Sequence, residues 1–265
     1  MVVYVVYRAS RNVKDRSLMP RRLYGLGCSK IHKGFWEIKE MKTSKVIQLL
    51  QGKQPVLLKK TRDLRRPNLV HAFSVKKPRE LGSLLIVIHV SDRETKREKI
   101  SNFLKKAPYI RLRRSVYAFF QDHPLFDKEN RLVDGHKFLA FLEENGEDFK
   151  VISRIAIVNQ NCIERLVEET KQRVEEELLD IAESCKRYQI KFSNEICGPQ
   201  CVITTLTRLK RRFETIKNIA SFYEKWMKID FSKSLMKSYR MVKRIQESID
   251  NRRLNADGEL ELTVS

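Results

Sequence analysis

No apolar run among the 265 residues approaches the ~20 needed to cross a bilayer. Val2 to Tyr7 is too short for a leader and is followed, not preceded, by charge, so it reads as a strand. Both features lead to the expectation of a cytoplasmic protein with no membrane partner. Five cysteines (Cys28, Cys162, Cys185, Cys197, Cys201) are an odd number in a long chain and argue against a disulfide framework. Cys197-Gly-Pro-Gln-Cys201 has no histidine near it and reads as a turn carrying two thiols, not half a zinc site. There is no GxGxxG, no P-loop and no nucleophile elbow. The five histidines (His32, His71, His89, His123, His136) fall at no metal-ligand spacing. His123 and His136 sit by a stretch carrying Asp122, Asp127 and Asp134, which reads as a solvated loop. Nor is there a helix-turn-helix, so reading of bases in the major groove is not expected.

What the chain has is positive charge, with a formal net of +21. It is concentrated at one end. The first eighty residues hold 20 Lys/Arg against 5 Asp/Glu, whereas 81–160 hold 14 against 11 and 161–265 hold 20 against 17. A solvating charge would be balanced along the chain, as the later segments are; an excess in one unit marks a surface for a polyanion, most commonly nucleic acid. A hydrophobic content of 42% supplies real cores for two or three domains.

The chain also repeats itself. Val2 to Ala9 is a β-branched run, followed by a basic amphipathic stretch and then Gly34-Phe35-Trp36-Glu37-Ile38; Leu84 to Ser91 opens the same series, which ends in Ser115-Val116-Tyr117-Ala118-Phe119. Aligning Tyr7 with His89 gives an offset of 82, and aligning Trp36 with Tyr117 gives 81. A near-constant offset through matched apolar runs is the mark of an internal duplication. The first copy reads as strand 2–9, helix 15–26, strand 29–39, helix 42–51 and strand 54–61, and Leu69 to Val75 is a candidate further strand. The second reads as strand 84–91, helix 93–106 with Asp92 as N-cap, strand 109–120, helix 135–146 and strand 149–158. Strand-helix-strand twice within about 75 residues is the ferredoxin-like pattern.

Beyond residue 160 the period changes. Val174, Leu178, Ile181, Cys185 and Tyr188 form one stripe, and Leu206, Leu209, Phe213, Ile216, Ala220, Tyr223 and Met227 form a second. A shorter helix, 233–251, carries Leu235, Tyr239, Val242 and Ile249. Such three-and-four spacing predicts a helical hairpin plus a third helix packed with coiled-coil geometry. The expected fold class is therefore α+β: two tandem ferredoxin-like (βαββαβ) units forming a pseudo-dimer, then an all-α bundle. The expected divisions are a basic unit 1–62, a connector 63–82, a second unit 83–160, a helical domain 161–254 and a mobile polar tail 255–265.

Two stretches carry a family likeness. Ser91-Asp92-Arg93, Lys96-Arg97, Leu104-Lys105-Lys106 and Arg111-Leu112-Arg113-Arg114-Ser115-Val116-Tyr117-Ala118-Phe119 together resemble the CRISPR adaptation scaffold family, the second of the core Cas proteins. Leu23-Tyr24-Gly25-Leu26-Gly27-Cys28 through Lys33-Gly34-Phe35-Trp36-Glu37 is a related match in the first copy. The same module ends the phenylacetic-acid repressor family and begins the chromate-resistance regulator family. Trp226-Met227-Lys228-Ile229-Asp230-Phe231 before a helix is similar to the latter. The CRISPR resemblance implies a carboxylate after the first strand that shares a divalent metal across a dimer. Here Tyr7 is followed by Arg8 and His89 by Val90, neither able to ligate a cation. Asp92 is the one weak catalytic candidate.

The expected function is therefore non-catalytic nucleic-acid binding, by a DNA-binding regulator or scaffold that contacts phosphates and needs no cofactor. The cations expected to carry it are Arg8, Arg11, Lys14, Arg16, Arg21, Arg22, Lys59, Lys60, Arg62, Arg65, Arg66, Arg111, Arg113 and Arg114. Arg111 and Arg113 alternate along a strand and share a face. Of the aromatics, Phe35 and Trp36 are adjacent in a strand, so at least one is core. Two alternatives stay open: a nuclease with a divalent metal, and an oxyanion-responsive transcriptional regulator. Homodimerisation through the sheets or the helical domain is a further expectation.

Overall fold

The computed structural model describes residues 2–8, 13–61, 81–89, 94–121, 132–193 and 199–262. The expected strand 69–75, the Asp92 cap and most of the 121–133 loop lie outside them. The described chain is α+β and divides into two compact units, one comprising 1–169 with 226–228 and the other 170–225 with 229–265.

The first unit contains β1 (Val2–Val6), α1 (Val13–Gly25), β2 (Ser29–His32), β3 (Phe35–Lys39), α2 (Thr43–Leu49) and β4 (Val56–Lys60). There follow β5 (Leu81–His89), α3 (Glu94–Leu104), β6 (Tyr109–Arg113), β7 (Val116–Phe120), α4 (Gly135–Glu144) and β8 (Phe149–Ile157). All eight strands join one antiparallel sheet in the order β2-β3-β1-β4-β8-β5-β7-β6. The two halves meet edge to edge through a short ladder, Leu58↔Ile157, Lys59↔Ala156 and Lys60↔Ile155.

The register repeats with the offset seen in the sequence. Val5 lies opposite Trp36, and Val87 opposite Tyr117. The cores match as well. Val3, Val5, Trp36 and Ile38 pack under Met19 and Leu23 of α1, Val46 of α2 and Leu50 at its C-cap. Leu85, Val87, Tyr117 and Phe119 pack with Ile100 and Leu104 of α3 and Phe138 and Leu142 of α4. Met19 and Ile100, like Leu23 and Leu104, are 81 apart; Val46 and Phe138, like Leu50 and Leu142, are 92 apart, because the second half has a longer loop before its second helix. Each such side chain stabilises by about 1.5–3 kcal/mol. The opposite face is buried too, at Tyr4, Val6, Phe35, Leu84, Ile86 and Phe120, and the Trp226 ring lies 4.6 Å from that of Phe120. Cover on both faces explains why Leu84–Ile88 is apolar without alternation.

Two strands anticipated as single runs, 29–39 and 109–120, are hairpins. The pairs His32↔Phe35 and Arg113↔Val116 leave two-residue turns, Lys33-Gly34 and Arg114-Ser115. A turn this short barely interrupts the side-chain alternation, which is why each hairpin reads as one strand.

The second unit is helical: α5 (Gln160–Ser193, from Thr170 on), α6 (Pro199–Met227) and α7 (Ser232–Leu262). Val174, Leu178, Ile181 and Cys185 are buried along α5, as are Leu206, Leu209, Phe213, Ile216, Ala220 and Tyr223 along α6. On α7 Val242, Ile245 and Ile249 are buried, whereas Tyr239, expected in the stripe, is half exposed. Arg173 donates to the Tyr223 hydroxyl at 2.6 Å, and Ser238 Oγ donates to the Leu178 carbonyl at 2.9 Å. Helix α7 runs to Leu262 instead of ending near 251, so most of the segment expected as a mobile tail is helical backbone. Its polarity reads as a tail because no apolar stripe marks residues 255–262.

Candidate nucleic-acid interface

The two hairpin tips meet. Gly34 closes the first with φ of +67°, a backbone conformation that favours glycine. Tyr7 N donates to Gly34 O at 3.0 Å, and the equivalent His89 N donates to Ser115 O at 2.8 Å. From the end of β6, Arg113 Nη1 donates to the Lys33 carbonyl. A Cβ on Gly34 would lie 1.7 Å from Arg113 Nη1 and 2.9 Å from Tyr7 O, so the glycine makes room for the guanidinium. Arg113 therefore ties the second half to the first. Burial lowers its pKa and the nearby Tyr7 offsets this; an arginine stays protonated regardless.

Around this tie the charge has one sign. His32, half-buried at the end of β2, is pushed below its ordinary pKa by burial first, then by Arg113, Lys150, Lys30 and Lys33. Among the described residues no carboxylate joins the charges acting on it, all of which are positive. Lys30, Lys33, Lys150 and Arg114 are exposed. Arg111, also exposed, acts with Arg114 on the buried Tyr117. Arg111 and Arg113 share one face of β6, and Ile110 and Leu112 point to the buried side. Cations from β2, β6, β8 and the two turns thus line one rim of the sheet.

The other anticipated cations are elsewhere. Arg8 forms a two-pronged ion pair with Glu169, at 2.8 and 2.7 Å, and Arg165 Nε approaches the same carboxylate at 3.6 Å. Arg8 is thereby paired within the fold. Arg21 and Arg22 are exposed on α1, where Arg22 borders a shallow groove with Leu26, Lys45 and Gln48. Lys59 is half-buried and Lys60 exposed, both on β4 at the seam with β8. Lys14 and Arg16 are on α1, and their side chains, like Arg11, Arg62, Arg65, Arg66 and Asp92, lie outside the description. Lys30, His32 and Lys33 are neighbours in the chain, but Lys150 and Arg113 are far from them in sequence, and only the fold gathers the group.

Phe35 and Trp36 are both fully buried, so neither stacks on a base. Tyr24 is 56% exposed, with its ring edge-on to Trp36 at 4.8 Å. Among the described residues no group of three or more His, Cys, Asp or Glu is arranged to hold a metal ion, and no helix is long and apolar enough to cross a membrane. Cys28, Cys162 and Cys185 are buried, and burial pushes the thiols of the latter two up to about 11. Such thiols are inert. Compared with known protein families, curated proteins and solved structures, the chain gives no match.

The depressed His32 pKa has a definite sign. Between the folded value and 6.5 the unfolded chain binds more protons than the folded one, so stability rises with pH across that window and is lost as pH falls through it. Urea midpoints measured from pH 7.5 down to 5 should fall in the wild type and fall less in His32→Asn. A bound phosphate would oppose the cations around His32, so polyanion binding should take up a proton near pH 6. Identical pH profiles for the two proteins would exclude this role for His32.

Proposed function

We propose that this chain is a non-catalytic nucleic-acid-binding protein, a DNA-binding regulator or scaffold that holds the phosphate backbone along the rim formed by its two hairpins. The observation that carries the reading is the convergence of Lys30, Lys33, Arg113 and Lys150 on His32 with no compensating carboxylate among the described residues. Arg8, by contrast, is paired with Glu169. A concentrated field of one sign attracts a polyanion. We also read each half as a ferredoxin-like unit. The support is the shared strand order, β2-β3-β1-β4 and β6-β7-β5-β8, with one helix following the first strand and one preceding the last. The resemblance to the CRISPR adaptation scaffold and the two regulator families belongs to the same proposal; residues 7, 8, 89 and 90 lack the carboxylate that the scaffold's metal site implies.

Binding should be weakly sequence-dependent and steeply salt-sensitive, with a log–log slope of about −0.9 per phosphate neutralised on duplex DNA. Replacing Lys30, Lys33, Arg114 and Lys150 together by Ala should flatten that slope by up to about three and a half. Arg8→Ala, which removes a charge already paired, should leave it unchanged. Fluorescence anisotropy over ~50–200 mM salt reads both. Failure of duplex DNA, single-stranded DNA and RNA alike to bind at the lowest salt would overturn the proposal. Magnesium- or manganese-dependent cleavage would overturn its non-catalytic part.

A further inference from the structure

Helix α7 carries a second basic surface, on the helical unit, where the segment's net charge gives no hint of one. Lys233, Lys237, Arg240 and Arg244 are all exposed and line a single groove together with Met236 and Met241. At spacings of four, three and four, the four cations fall within about 60° of arc and extend about 16 Å along the helix. By the same geometry Met236 lies on one flank and Met241 on the other.

Several of this unit's other cations have an acidic partner. Lys243 pairs with Glu247 at 3.4 Å, Lys217 with Glu214 at 3.3 Å, and Arg212 with Glu177 and with Asp180. In the groove, Lys233 has Asp230 nearby, whereas Lys237, Arg240 and Arg244 form no ion pair among the described residues. The position four residues after Lys233 is Lys237, and four after Arg240 is Arg244. Both are like-charge pairs, each costing the helix a few tenths of a kcal/mol where a Glu would stabilise it. Four cations in line, three of them without an ion pair among the described residues, suit a ligand whose negative groups also repeat along a line. We infer that this face of α7 is a second contact for a nucleic-acid phosphate backbone.

A bilayer surface suits it less, because an interfacial helix needs an apolar face to insert. The apolar residues Val242, Ile245 and Ile249 are buried within the unit. The inference rests on the nucleic-acid reading for its class of ligand, but it uses none of the rim residues.

The test is the full chain with Lys237→Ala, Arg240→Ala and Arg244→Ala combined, beside the rim quadruple variant and the Lys217→Ala/Lys243→Ala control. Probes are a 20-base single strand, a 20-base-pair duplex and vesicles containing phosphatidylserine. The α7 variant should bind nucleic acid at least tenfold more weakly at ~50 mM salt, with its slope flattened by about two to three, and the control should match wild type. Its unfolding midpoint should hold or rise, since alanine favours the helix and the repulsion is gone. Unchanged affinity and slope in the α7 variant, with binding lost in the rim variant, would overturn this inference and leave the rim reading intact. Loss of vesicle binding with nucleic-acid binding retained would reassign the face to a membrane. A midpoint several degrees lower would make the cations structural. No nucleic-acid binding by wild type would end both readings.

Discussion

His89→Leu should destabilise the sheet-containing unit by about 3–5 kcal/mol, visible as a melting temperature lower by about 10 °C. His89 Nε2 lies 2.9 Å from Glu147 Oε2, and the two side chains are only 4% and 6% exposed. Removing the imidazole takes a partner from Glu147 in a site with almost no water. Stripping a buried acidic group of a partner costs far more than the pair contributed. The double variant His89→Leu/Glu147→Leu should therefore recover much of the loss. This comparison by chemical denaturation separates desolvation from packing: a single-variant loss below about 1 kcal/mol would mean that water reaches the carboxylate. The residue in the equivalent position of the first half is Tyr7, also buried, so the two copies fill one place in the fold with different chemistry.

Gly34→Ala should cost about 3 kcal/mol or more. The positive φ alone costs an alanine about 1–2 kcal/mol, and the new Cβ would meet the Tyr7 carbonyl oxygen at 2.9 Å, a backbone atom that cannot swing away. It would also occupy the place of the Arg113 guanidinium, which must then leave the Lys33 carbonyl. Bonds to charged groups are worth about 1.5–3 kcal/mol. Arg113→Ala loses the bond but relieves the crowding, so the Gly34→Ala/Arg113→Ala double variant should be less destabilised than the sum of the singles. Strict additivity would assign the whole clash to Tyr7 O. Gly34→Ala also keeps the net charge constant. Nucleic-acid affinity should nevertheless fall severalfold, because the rim depends on two tips held together; unchanged affinity would mean that charge alone matters, wherever it sits.

Much of the fold is legible in the sequence because the duplication writes it twice. The Val5/Val87 and Trp36/Tyr117 equivalences follow from the offsets of 82 and 81 and return as hydrogen-bonded register. The rim is not legible, because it depends on where turns bring distant residues. Nothing in the chain near Lys33 announces Arg113, eighty positions away, and the sequence reading places Arg113 among free phosphate ligands, whereas it is partly buried and tied to the Lys33 carbonyl. The α7 surface was hidden by averaging. Residues 161–265 hold 20 Lys/Arg against 17 Asp/Glu, a near balance that conceals four like charges on one helical face.

The β4–β8 seam is three residue pairs long. Two separate chains joined by so short a ladder would dissociate on dilution; one chain carrying both halves makes their meeting intramolecular, at an effective concentration of about millimolar. Tethering also frees the halves from symmetry. In a homodimer every substitution appears on both sides of the axis, so a basic face on one subunit is a basic face on its twin. Within one polypeptide the first eighty residues hold an excess of 15 positive charges and the next eighty an excess of 3. Each half can then drift toward its own task, the first holding most of the excess charge and the second adding Arg111, Arg114 and Lys150 beside the arginine that ties the two tips together.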